Sequence, residues 1–395
     1  MLIVQKYGGA TLANPEKIKQ VAQRIADLKK SGTQVVAVVS AMGQTTNELI
    51  KLAHQVSNNP SLRELDMLLS VGERTSMALV TMALNDLNCP AISFTGSQAG
   101  ILTDDSHINA NIIDVKGFRV TEAVQDNKVV ILAGFQGVSP NTKEITTLGR
   151  GGSDTTAVAM AAFLKAERCE ILKDVEGVMT ADPKVIPSAK LIKNMNYDHL
   201  LEMTLWGAKV LHYKSVEMAK NKKVQLYVGP ARNHTSDGTL ISDQNICQKP
   251  QALSVNSYSQ VFKFKSNIPD FIQAQKNFLA HLKSLQIGEP YFLSQSFENS
   301  QNEFYISGPD EILSAILNIS DWDQQFQMKR SDLCSVSLTW TQPPESSQQS
   351  EAQNILTENH ITSECLKKTN LNLNWILEKN HRTQAMVLMH QFIQI

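Results

Sequence analysis

The residues best equipped for chemistry lie in one stretch, Thr147-Leu-Gly-Arg-Gly-Gly-Ser-Asp-Thr-Thr-Ala-Val-Ala159. Six consecutive positions, 149–154, hold three glycines, Arg150, Ser153 and Asp154, and an apolar, alanine-rich run follows. That run predicts a helix with Ala157, Ala161 and Leu164 on one face, N-capped by Ser153 or Asp154. A glycine turn opening a helix presents unpaired N–H groups at the positive end of the dipole, which suits an anion. Arg150 adds a two-pronged donor for a carboxylate or phosphate. Asp154 runs against a pure anion site. A ligand carrying both signs, such as an amino acid, accommodates both residues.

Smaller polar sets recur where strands are predicted to end. Lys6-Tyr7-Gly8-Gly9 follows the apolar residues 2–5, and the two glycines let a phosphate approach the backbone. Ser40 and Thr45 belong to a hydroxyl-rich run after the buried strand 35–39. They can hydrogen-bond a carboxylate; equally, Thr46 or Asn47 can cap the next helix. Glu73 falls in Gly72-Glu73-Arg74, inside a helical pattern over 64–87 marked by Leu65, Leu68, Leu69, Leu79 and Met82. A glycine there lowers helix propensity and opens space for another group, although a solvated face is the simpler alternative. Lys173 and Asp174 close a further strand, 169–174.

The elements that must position these residues alternate. Asn14 caps a helix with Pro15 at its first position and Ile18, Val21, Ile25 and Leu28 on one face; Gly32 ends it before strand 35–39. The result is a βαβ unit without the GxxxxGK[ST] or GxGxxG spacing. Strands 91–94 and 129–132 are each followed by glycine, and the polar residues 98–111 between them are expected to wrap the ligand side as a loop. Residues 175–187 are turn-rich, followed by helices at 197–206 and 216–220 and a strand at 224–228. The order predicts an α/β fold with a mostly parallel central sheet and helices on both faces. A polar linker is expected at 243–252. Residues 253–328 and 329–395 read as two α+β units of about 70 residues each.

With Lys plus Arg 37, Asp plus Glu 38 and a net charge of −1, no basic field exists to recruit nucleic acid. No apolar run reaches the ~20 residues needed to span a bilayer, and the N-terminus lacks a secretory pattern. The five cysteines are scattered, without CxxC spacing. They predict a reduced, cytoplasmic protein with buried thiols, neither a metal site nor a disulfide framework.

Residues 1–242 resemble the amino-acid-kinase family, and within it the aspartokinases. The matching stretches are QKYGGATL (5–12), VVSAMGQTTNEL (38–49), LLSVGERTSMAL (68–79), SFTGSQAGILT (93–103), AGFQGV (133–138), TTLGRGGSDTTAVA (146–159), DVEGVMTADP (174–183) and GAKVLH (207–212). The resemblance implies transfer of the ATP γ-phosphoryl group to the β-carboxylate of L-aspartate, the first step towards lysine, threonine and methionine. It implies an aspartate site at Ser40, Thr45, Glu73, Arg150, Gly151, Gly152, Ser153 and Asp154. It implies an ATP site at Lys6, Tyr7, Gly8, Gly9, Lys173, Asp174, Met179, Lys184 and Lys209. Lys6, Asp154 and Lys209 are the implied catalytic residues, with Mg²⁺ held mainly by the nucleotide phosphates. Rival readings are an amino-acid kinase of another substrate and a non-catalytic binding subunit.

The chain also departs from the family pattern. Lys173 replaces a small hydroxyl, Met179 a tyrosine and Lys184 an arginine, while Ala10-Thr11 stands where Thr-Ser is usual. The α+β units resemble two ACT-like (βαββαβ) regulatory units, which implies a homodimer or higher homo-oligomer through that region. Their expected effector turns, Ile268-Pro-Asp270 and Gln342-Pro-Pro-Glu345, lack glycine. A degraded lysine or threonine site on an intact fold is therefore expected.

Overall fold

The computed structural model describes all residues except 233–237, 245–248, 286, 299–300, 321, 367–368 and 394–395. Part of the expected linker, with Cys247, lies outside the described residues. The chain forms two compact units. One comprises Met1–Val178, Leu191–Leu201 and Lys209–Ile246; the other takes Met179–Lys190 and Glu202–Ala208 together with Cys247–Ile395.

The first unit is built on an eight-stranded sheet in the order Asn194–Asn196, Thr239–Ser242, Leu226–Pro230, Arg168–Lys173, Leu2–Tyr7, Gln34–Val39, Val129–Ala133 and Ala91–Phe94. All neighbours run parallel except Leu226–Pro230 with Thr239–Ser242. Strand Leu2–Tyr7 is central, pairing Lys6 with Val38 on one side and Ile171 on the other. Alternation sends Ile3 and Tyr7 to one face, where Ile18, Val21 and Ile25 of helix Pro15–Lys30 and Val80 and Leu84 of helix Leu62–Asp86 close the core. Lys6 points to the other face, under helix Gly152–Leu164. That helix is buried from Gly152 to Ala161, which explains its nearly uninterrupted small and apolar sequence.

Several local expectations hold. Asn14 accepts from Lys17 N at 3.0 Å with Pro15 opening the helix, and the mostly parallel sheet with helices on both faces is present. Others need correction. Helix Gly152–Leu164 is capped by Gly151 in the left-handed region, not by Ser153 or Asp154, which lie inside its first turn. Helix Thr45–Val56 follows Gln44, so neither Thr46 nor Asn47 caps it. The segment 98–111 is not all loop: Ile101–Thr103 joins Ile112–Val115, Gln136–Val138 and Ile145–Thr147 in a four-stranded sheet. Of the described cysteines, Cys89, Cys169 and Cys334 are buried as expected, whereas Cys365 is exposed.

The second unit is a six-stranded antiparallel sheet, Tyr291–Glu298, Gln301–Ser307, Ala252–Ser266, Phe326–Trp340, Asn372–Glu378 and Ser363–Leu366. Strands Ala252–Ser266 and Phe326–Trp340 are 15 residues each and pair along most of their length. They fuse the two expected α+β copies into one sheet, and the division expected at 328/329 falls inside the second strand. One end packs Phe264, Phe278 and Phe304, the other Trp340, Trp375 and Met386. Asp270 caps helix Phe271–Ser284, and a Glu345–Gln348 capping box opens Ser346–Glu358. Among the described residues no helix is long and apolar enough to cross a membrane.

Candidate active site

A cavity of about 280 Å³ opens at the C-terminal end of the central strands, where open α/β sheets bind ligands. Lys6, Ser40, Phe135, Gly149, Arg150, Gly151, Gly152, Ser153, Asp154 and Lys173 line it. The turn before helix Gly152–Leu164 has left-handed glycines at 149 and 151. A Cβ on Gly151 would lie 2.3 Å from that of His212, so only glycine fits there. Thr156 braces the turn by donating to Gly152 O at 2.9 Å while accepting from Phe135 N at 3.2 Å.

Asp154 is the electrostatic centre. It is 4% exposed, with Oδ1 2.6 Å from Lys6 Nζ and Oδ2 3.6 Å from Lys173 Nζ. Burial works against its ionised form, yet Lys173 and Lys6 together hold its carboxyl below the usual range. Burial also pushes the Lys173 ammonium down, against the pull of Asp154. Lys173 is further fixed by donating to Val210 O at 2.5 Å. A buried carboxylate between two lysines leaves local positive charge on the cavity wall, and Arg150 adds more. The lysine that departs from the family pattern is thus built into the site.

Glu73 forms a neighbouring set. Its Oε1 accepts from Ala41 N at 3.1 Å, and Oε2 has no hydrogen-bond partner among the described residues. Burial lifts its carboxyl up to about 7, opposed by the Ala41 and Glu73 amides and by Lys6. Gly72 makes this approach possible, because a Cβ there would stand 2.8 Å from the Ala41 side chain and 3.7 Å from Thr45 Cγ2. Glu73 is 3% exposed, so the solvated-face alternative is excluded.

The other expected residues fall as follows. Gly8 and Gly9 adjoin Lys6, and a Cβ on Gly9 would meet Ala41 O at 2.8 Å. The Tyr7 side chain turns into the core, its hydroxyl donating to Gln5 Oε1 at 2.8 Å, so only its backbone faces the strand end. Thr45 is half-buried at the start of its helix, while Asp174 and Lys209 are exposed and do not line the cavity. Met179 and Lys184 belong to the second unit. Phe135 and Gly149 were not singled out as site residues. Phe135 holds a left-handed φ of 68°, a rare conformation for a bulky residue that marks a constrained site. Its place between Gly134 and Gly137 in the AGFQGV stretch was the available signal.

This fold and site define a class. A sequence model of the amino acid kinase family matches residues 1–230, and the chain belongs to that family. Within it, the chain is 52% identical over 242 residues to the aspartokinase of Mycolicibacterium smegmatis, covering 61% of this chain and 57% of that protein. It is 50% identical over 243 residues to the aspartokinase of Geobacillus stearothermophilus, covering 62% and 59% respectively. The chain therefore spans less than two thirds of the length of these curated relatives. Over 99% of both chains it shares the fold of Escherichia coli aspartokinase III solved with aspartate and ADP, with a TM-score of 0.78 and 21% identity. Aspartate kinase from Synechocystis matches 99% of this chain and 69% of its own at 31% identity and a TM-score of 0.57.

Proposed function

We propose that the chain is an aspartate kinase, moving the γ-phosphoryl group of ATP to the β-carboxylate of L-aspartate to give 4-phospho-L-aspartate. The carrying observation is Asp154, buried between Lys6 and Lys173 beside the glycine-capped helix start and Arg150. A β-carboxylate oxygen forms the new bond to phosphorus as the bond to the ADP oxygen breaks. The acceptor is ionised at neutral pH, with a reference pKa near ~4, so no proton has to be removed. What the site must supply is alignment and neutralisation of two approaching anions.

Lys6 and Lys173 provide that charge, and Asp154 holds both ammonium groups in place. Arg150 and the N–H groups opening helix Gly152–Leu164 suit the α-carboxylate, and Glu73 Oε2, without a hydrogen-bond partner among the described residues, suits the ammonium. Among the described residues no group of three or more His, Cys, Asp or Glu side chains is placed to hold a metal ion. The resemblance implies that Mg²⁺ enters with the nucleotide phosphates as part of the substrate. Nucleotide contacts from Asp174, Met179, Lys184 and Lys209 and assembly as a homodimer or larger through the ACT-like unit are what the resemblance implies. A cytoplasmic setting is what the scattered cysteines imply, and loss of lysine or threonine control is what the glycine-free effector turns imply.

The test is an aspartate-dependent hydroxamate assay with ATP and Mg²⁺, run with and without lysine and threonine. We expect turnover that neither amino acid inhibits, and a loss of about 10²–10³ in kcat for Lys6→Ala. Near-normal turnover by a folded Lys6→Ala protein would overturn the assignment.

A further inference from the structure

A polar network outside the cavity centres on Asp66, a fully buried carboxyl on helix Leu62–Asp86. Its Oδ1 accepts from Thr147 Oγ1 at 2.5 Å and from Ile108 N at 3.1 Å. Its Oδ2 lies 2.6 Å from His107 Nδ1. The other ring nitrogen of His107 faces Glu144 at 3.4 Å, and Glu144 is in turn 3.3 Å from Arg63 Nε. Ile108, a β-branched residue, is held at a φ of 67°. A branched side chain rarely adopts that conformation, and the buried Asp66 carboxyl that accepts from its N–H is what compensates here.

These contacts converge on the substrate turn. Thr147 ends the strand Ile145–Thr147, two residues before Gly149. Its carbonyl accepts from Ala110 N at 2.9 Å, so Thr147 is held through its side chain by Asp66 and through its backbone by the 107–110 segment. The same segment forms the wall behind the turn: a Cβ on Gly149 would lie 2.9 Å from Asn109 Oδ1 and 3.0 Å from Ile108 O. Asn109 is itself tied to Lys214 Nζ at 3.0 Å. Gly149 and Arg150 therefore rest on a platform whose shape depends on the Asp66–His107 pair.

We propose that Asp66 and His107 are positioning residues that set the Gly149–Arg150 turn for its carboxylate ligand. Neither lines the cavity; they act through Thr147 and the 107–110 wall. The inference rests on the aspartate kinase reading only for the identity of that ligand. Removing the His107 hydrogen bond loosens the turn and weakens aspartate binding, while Lys6 and Lys173, held by Asp154, stay in place.

His107→Phe removes the donor to Asp66. His107→Asn restores it, because Asn Nδ2 can take the place of the ring Nδ1. For His107→Phe we expect the KM for aspartate to rise about tenfold, with kcat and the KM for ATP within about threefold of the parent. Amide exchange across 147–152 in the ligand-free protein should quicken about tenfold. His107→Asn should return both quantities to within about threefold. An unchanged aspartate KM and unchanged exchange in His107→Phe would overturn the proposal. So would equal loss in all three kinetic constants, or failure of His107→Asn to restore. If the parent protein does not phosphorylate aspartate, the functional assignment fails, and the exchange comparison still decides whether the pair positions the turn.

Discussion

Two buried carboxyls that both feel the Lys6 charge behave in opposite ways, and their neighbours explain why. Asp154 is stabilised as the anion by Lys173 and Lys6, whereas Glu73 has only amides and the more remote Lys6 charge to oppose its burial, so burial dominates. A folded-state value of about 7 against an ordinary 4.5 means that folded Glu73 keeps its proton where the unfolded chain has lost it. The folded state therefore binds more protons between those values, and its stability falls as pH rises through that window. A shift of that size corresponds to about 3 kcal/mol. Glu73→Gln should abolish this fall, so the stability difference between variant and parent should grow by roughly that amount from pH 5 to pH 8. Urea unfolding at both pH values measures it, and parallel profiles would refute the account. Asp154 acts with the opposite sign, its contribution being lost only as pH falls below the ordinary carboxylate range. The sequence made both carboxylates visible as site residues through the company they keep. It did not make their protonation visible, because that depends on residues as distant as Ala41 and Lys173.

At the level of elements, the turn before helix Gly152–Leu164 is decided by what lies across from it. Gly151 combines a φ of 75° with a Cβ clash against His212, contributed by a segment 61 positions further along the chain. Gly151→Ala should lower stability by about 2–4 kcal/mol, part from the left-handed backbone and part from the clash. It should also displace Arg150 and weaken aspartate binding. Equilibrium unfolding and aspartate titration check both, and a stability change under about 0.5 kcal/mol would show that the turn yields easily. The same nonlocality limited what could be read in advance. Asn14-Pro15 was legible because its cap is made within three residues, whereas the cap at Gly151 depends on distant packing. The full length of the strands Ala252–Ser266 and Phe326–Trp340 is hard to see in the sequence because their buried positions include Ser254, Asn256, Ser335, Ser337 and Thr339. These polar side chains disguise the strand alternation. They are tolerated through mutual bonds such as Ser337 Oγ to Asn372 Oδ1 at 2.7 Å and Asn256 Nδ2 to Ser254 Oγ at 3.0 Å.

Across the whole molecule, sequence order and structural membership part company at residue 179. The stretch Met179–Lys190 lies within the span matched by the amino acid kinase family, yet it folds with the second unit. Ala181 and Ile186 are buried among Trp340, Leu356, Trp375, Met386 and Met389. Thr180 O accepts from Val255 N at 2.7 Å, and Thr180 Oγ1 meets His390 Nε2 at 2.9 Å. Strand order alone could not reveal this, because a turn-rich apolar segment carries no label for the core it will join. The arrangement makes a selective prediction. All four tryptophans, Trp206, Trp322, Trp340 and Trp375, belong to the second unit, so intrinsic tryptophan fluorescence reports that unit alone. Ile186→Ala leaves a cavity in the second core and should destabilise it by about 2–5 kcal/mol. The fluorescence-detected unfolding midpoint should fall accordingly. Val4→Ala, in the central strand of the first unit, should shift the circular-dichroism transition instead. If Ile186→Ala left the fluorescence midpoint in place, Met179–Lys190 would not be a structural part of the second unit. The assignment of Met179 and Lys184 to a body distinct from Lys6 and Asp154 would then fail with it.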